Sequence, residues 1–117
     1  MSDYHEPIDE LSPQARHCTQ ALNSLKEEIE AVDWYHQRVD VTQDDSLKRI
    51  LAHNRDEEIE HACMTLEWLR RNMAGWEEHL KTYLFTEGEI TELEEAEEGE
   101  AEEAPEEPTD LHIRTLK

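Results

Sequence analysis

The chain has 117 residues, 31 of them acidic against 11 basic, and a formal net charge of −20. Such a charge repels nucleic acid and anionic membrane surfaces and attracts cations, so neither nucleic acid nor a membrane is an expected partner. Hydrophobic residues make up 36% of the chain, and no stretch of them reaches transmembrane length.

The acid is unevenly placed. Residues 1–86 hold 18 acids and 9 bases, whereas residues 87–108 hold 12 glutamates and no base. The folded part is therefore expected over residues 12–86. A domain that short buries only a modest core by itself, and association between copies is a usual remedy. Cys18 and Cys63 lack CxxC spacing and fall in apolar-periodic stretches, so both are expected to be buried, reduced thiols in a cytosolic setting. No apolar run follows a basic segment at the start, so no secretory signal is expected.

Residues 1–11 are polar and read as a flexible N-terminus. Ser12-Pro13 is a helix start: a hydroxyl cap followed by proline at the first helical position. Apolar residues then recur in three- and four-residue steps at Ala15, Cys18, Leu22, Leu25, Ile29, Val32 and Val39, which predicts one long helix. Residues 40–45 read as a turn, with Thr42 or Asp44 able to cap a second helix over 46–72. That helix carries one stripe of Leu47, Leu51, Asn54, Glu58, His61, Thr65 and Trp68, and another of Ile50, Ile59, Cys63, Leu66 and Leu69. Gly75 breaks the pattern, and a short third helix is expected over 76–85. Two long helices on a short turn make an antiparallel hairpin. A hairpin cannot cover both its apolar faces, so the pattern predicts an all-α helical bundle completed across chains.

Residues 87–108 are low in complexity and self-repelling, and read as a disordered acidic linker. Residues 109–117 differ again. Leu111, Ile113 and Leu116 are apolar in a slightly basic segment, which looks like a docking peptide on a soluble tether.

The informative departure lies in the second helix. Glu58 and His61 take seam positions where a core-facing leucine is expected. An ionisable group there costs several kcal/mol unless it is paired or bound to a metal. Residues i and i+3 share a helix face, so the carboxylate and imidazole converge, and Glu-x-x-His is the motif of two-iron carboxylate bundles. Residue 43 is midway between Glu28 and Glu58, which places Glu28 level with Glu58 across the hairpin. One chain then supplies Glu28, Glu58 and His61, half the usual ligand set, and a twofold axis supplies the rest. Carboxylates with one imidazole per ion suit iron, manganese or zinc. Asp33-x-x-His36 has the same form but no level carboxylate on the second helix. Glu27 and Glu30 flank Glu28 as either a solvated acidic face or a site where cations first bind. Trp34 and Tyr35 either shield the metals or pack in the core. His53 reads as a surface residue. The rival to metal chemistry is a helical adaptor or cation buffer.

The runs Glu27-Glu-Ile-Glu-Ala-Val-Asp-Trp-Tyr35 and Leu51-Ala-His-Asn-Arg-Asp-Glu-Glu-Ile-Glu-His61 resemble the encapsulated ferritins. So do Met64-Thr-Leu-Glu-Trp-Leu-Arg-Arg-Asn72 and Tyr83-Leu-Phe-Thr-Glu-Gly88. The resemblance covers residues 5–95. It implies a ferritin-like four-helix bundle built across a homodimer, and an annular homodecamer. It implies ferroxidase activity at a di-iron centre held by Glu28, Glu58 and His61 of both chains, with either dioxygen or peroxide as oxidant. It further implies cation admission through Glu27 and Glu30 and a position for Trp34 beside the irons. His36 stands where the resemblance leads one to expect an acid. Residues 110–117 resemble an encapsulin cargo-loading peptide, with His112 and Arg114 departing from the usual pattern. The expected location is the lumen of an encapsulin nanocompartment in the bacterial cytoplasm, where iron is delivered for mineralisation.

Overall fold

The computed structural model describes residues 4–103, with side chains for residues 4–96. The elements are a 3-10 turn at Ile8–Glu10 and four helices: α1 (Pro13–Val41), α2 (Asp45–Asn72), α3 (Trp76–Tyr83) and α4 (Ile90–Glu103). Among the described residues the fold is all-α. The chain divides into two units, Met1–Met73 and Ala74–Lys117.

In the first unit, the Ser12 hydroxyl accepts the Ala15 N–H at 3.0 Å, and Pro13 opens α1. No glycine or proline follows until Gly75, so nothing in the chain itself interrupts either long helix. Thr42 turns to extended backbone, and Asp44 caps α2 by accepting the Leu47 N–H on Oδ1 at 2.8 Å. A connection this short makes α1 and α2 antiparallel neighbours, and the two pack against each other. Gln14 at the start of α1 donates to the Asn72 carbonyl at the end of α2 at 2.6 Å, which ties the open end of the hairpin. The 3-10 turn, closed by Glu10 N–H to the Pro7 carbonyl at 3.0 Å, gives order where a flexible terminus was expected.

Two helices bury one seam. Cys18 and Leu69 are buried, but Ile29, Ile50, Ile59 and Met64 are each about half exposed. Cys63 is exposed, contrary to its expected burial. It shares the Ile59 stripe, which one chain leaves uncovered.

In the second unit, Gly75 precedes α3 with φ of +103°. A Cβ there would meet nothing within 4 Å, so the left-handed backbone, not space, demands glycine. Helix α3 ends at Tyr83, two residues earlier than the sequence suggested, and Phe85 turns left-handed at φ 57°. Helix α4 lies within the segment read as an acidic linker. Glutamate and alanine are strong helix formers, and no proline falls within residues 90–103. Helices α3 and α4 touch. The apolar triplet Leu111, Ile113 and Leu116 lies outside the described residues. No helix among those described is long and apolar enough to cross a membrane.

Candidate metal centre

Helix α2 brings two of the expected ligands together. Glu58 Oε1 and His61 Nδ1 lie 3.0 Å apart, one turn from each other on the same face. Their side chains remain 26% and 43% exposed, so they sit in an open groove and not in a sealed core. A first-row divalent ion holds imidazole nitrogen and carboxylate oxygen at about 2.1 Å. Two such ligands at a right angle around one ion stand about 3.0 Å apart, given the same bond lengths. As it stands the pair is a hydrogen bond, and its two atoms are close enough for one ion to bind both once the side chains turn toward it.

Glu28 on α1 is tied to this patch less directly. Its Oε2 accepts a hydrogen bond from the Thr65 hydroxyl at 3.2 Å. The same hydroxyl lies 3.2 Å from the His61 carbonyl oxygen. Glu28, expected level with Glu58 by backbone position, thus pairs across the hairpin with Thr65, two turns beyond Glu58. The cause is the tilt of side chains toward their own helix N-terminus. On α1 that tilt points away from the turn, and on α2 it points toward it. Contacting pairs therefore drift past backbone register, and the contact between Arg55 and His36 drifts the same way. Sequence reasoning placed Thr65 in the seam but gave it no role. The available signal was a hydroxyl at a core-facing position one turn after His61.

A cavity of about 630 Å³ opens beside Glu58 and His61, and Trp34, Tyr35, Arg38 and Asn54 line it. Trp34 is 53% exposed. The Arg38 guanidinium stacks over the Tyr35 ring at 5.3 Å. Both aromatics thus border the candidate ligands and are not packed away in the seam. Glu27 and Glu30 lie exposed on α1. Among the described residues, no three potential ligands from His, Cys, Asp and Glu converge. One chain offers a joined pair and a third carboxylate held nearby.

The other candidates resolve plainly. His36 Nδ1 lies 3.3 Å from Arg55 Nη1. Arginine only donates, so this nitrogen accepts, and the Asp33/His36 motif is turned to another use. His53 is exposed and pairs with Glu57 at 3.1 Å. At the end of α2, Arg70 donates to both carboxylate oxygens of Glu67, and Arg71 adds a third bond, all at 2.7 Å. These bonds, the Arg70 pair first, hold the Glu67 carboxyl down at about 2.

The sequence profile described as EncFtn-like matches residues 3–87. A ferritin-like protein of Thermotoga maritima is 65% identical over 95 residues, which cover 80% of this chain and 83% of that protein. An encapsulated ferritin-like protein of Rhodospirillum rubrum is 62% identical over 90 residues, covering 77% of this chain and 64% of that protein. The crystal structure of protein ne0167 from Nitrosomonas europaea superposes with a TM-score of 0.73 at 54% identity, over 76% of this chain and 98% of that one.

Proposed function

The chain belongs to the EncFtn-like family, and from that premise we propose that it is a ferroxidase subunit whose two-iron centre is completed by a second copy of itself. Its general role is ferritin-like handling of iron. The observation that carries the finer reading is the Glu58–His61 pair, two donors preset at 3.0 Å on the face of an open groove.

Three features support completion by a twofold mate. One chain supplies Glu28, Glu58 and His61 but closes no three-ligand group among its described residues. Ile50, read from the sequence as part of the Ile59 stripe, lies only about 20° from His61 around the helix and so shares the face bearing the pair; it is 55% exposed. Across a twofold axis each residue meets its own symmetry copy, so three ligands become six. Ile29 and Ile59 form a second uncovered stripe, which suits further assembly of dimers into a homodecamer.

Iron enters here as substrate. The acidic chain draws Fe(II) in, with Glu27 and Glu30 as first contacts. Glu58 and His61 take adjacent positions on an ion, and Glu28 approaches from α1. Two Fe(II) ions give up one electron each, and with two protons from water these reduce dioxygen to hydrogen peroxide, or hydrogen peroxide to two waters. Carboxylate ligands favour the resulting Fe(III), because hard oxygen anions bind the higher charge more strongly. Trp34 and Tyr35 border the cavity beside these ligands. Residues 109–117, with Leu111, Ile113 and Leu116, serve as the tether to an encapsulin shell, in line with the name of the Rhodospirillum relative. Location in the lumen of such a shell follows from that tether.

The test is stopped-flow Fe(II) oxidation with the full chain, Glu58→Ala and His61→Ala. Each substitution is expected to remove most of the oxidation while the protein stays helical. Oxidation unchanged in both variants contradicts the site. Binding of Fe(II) by the native chain without acceleration of its oxidation identifies a cation buffer instead.

A further inference from the structure

The Thr65 hydroxyl has one proton and two acceptors at equal distance. It lies 3.2 Å from Glu28 Oε2 and 3.2 Å from the His61 carbonyl. The two acceptors are unequal in need. The His61 carbonyl already has the amide of residue 65 as its regular helix partner, four residues on. Glu28 Oε2 is an anionic oxygen reaching across from the other helix, and hydrogen bonds to ionised acceptors are the stronger kind.

From this we propose that Thr65 is a positioning residue: its hydroxyl holds Glu28 Oε2 across the hairpin and leaves Oε1 free as the single oxygen presented to a cation. The proposal rests on the site assigned above and deepens it. Glu28 is the one ligand of the set not on α2, and its side chain has three rotatable bonds. Without a fixed partner the carboxylate samples many positions and can bind a cation through both oxygens. The Thr65 bond joins it to the turn of α2 that follows His61. The second acceptor gives the hydroxyl a resting position when Glu28 moves.

The experiment uses Co(II) as probe, with the full-length protein and four variants. Thr65→Val keeps the side-chain volume and removes the donor. Thr65→Ala also removes the donor, in a residue that favours helix. Thr65→Ser keeps the donor and drops the methyl. Glu58→Ala tests the underlying site. Co(II) affinity is read by titration calorimetry and its ligand-field absorption by visible spectroscopy, both without turnover. Loss of a hydrogen-bonding partner behind a metal ligand weakens binding by about 10- to 100-fold. That loss is expected in Thr65→Val and Thr65→Ala, and binding is expected to be restored in Thr65→Ser. The freed second oxygen raises the coordination number in the first two, which weakens the absorption band. Native affinity in Thr65→Val and Thr65→Ala overturns the proposal, as does a Thr65→Ser variant as weak as Thr65→Val. Native affinity in Glu58→Ala instead overturns the site, so the two failures are distinguishable.

Discussion

Ile50 and Ile59 allow the two uncovered faces of the hairpin to be tested separately. They are nine residues apart on α2, which is two and a half turns, so they point to opposite sides. Ile50 shares the side of Asn54 and His61, and it is 55% exposed in one chain. Full burial of an isoleucine is worth about 1.5–3 kcal/mol. Covering the exposed half of Ile50 therefore contributes about 1–1.5 kcal/mol. A twofold axis repeats the contact, so Ile50→Gln costs the pair about 2–3 kcal/mol, or about 30- to 150-fold in its association constant. Glutamine is a good helix former, so a single hairpin keeps its stability. Sedimentation equilibrium gives the pairing constant, and Fe(II) oxidation at a concentration near that constant gives the consequence. Ile50→Gln is expected to lower both together. Ile59→Gln is expected to leave paired oxidation intact and to limit assembly beyond the pair. An Ile59→Gln variant that loses oxidation while Ile50→Gln keeps it refutes the assignment of faces.

Ser12→Ala removes the cap of α1 and is expected to cost about 1 kcal/mol in chemical denaturation, with oxidation of Fe(II) unchanged. The Glu67 carboxyl is held at about 2 against 4.5 for a free one. Its pairing therefore contributes fully above 4.5 and is lost as pH falls through about 2. A carboxyl-detected NMR titration should find that midpoint, and Arg70→Ala with Arg71→Ala should return it toward 4.5. Deletion of residues 109–117 is expected to abolish capture by an encapsulin shell, measured by co-purification, and to leave iron oxidation intact.

Much of this architecture was legible because its punctuation is local. Ser12 and Asp44 start helices through side chains that bond the amide three residues on, which a sequence displays directly. Glu58 and His61 stood out because the helical period fixes i and i+3 on one face. What was not legible depended on distances between helices. The bond from Thr65 to Glu28 depends on how side chains tilt along their helices, which arithmetic on backbone positions omits. Cys63 was placed in the core because periodicity reveals two apolar stripes and does not say which one a single partner helix covers. The bounds of helix α4 were not legible, because low apolar content argues against a packed core but not against a helix rich in glutamate and alanine.

The central claim is that one catalytic centre takes ligands from two chains. It is tested by unfolding native chain and Glu58→Ala together in equal amounts, refolding them, and measuring Fe(II) oxidation per chain. Random pairing leaves about a quarter of the pairs with both native chains, because each isologous centre needs Glu58 twice. The account predicts oxidation near a quarter of the native value. Oxidation near half, in simple proportion to the native chain present, contradicts it.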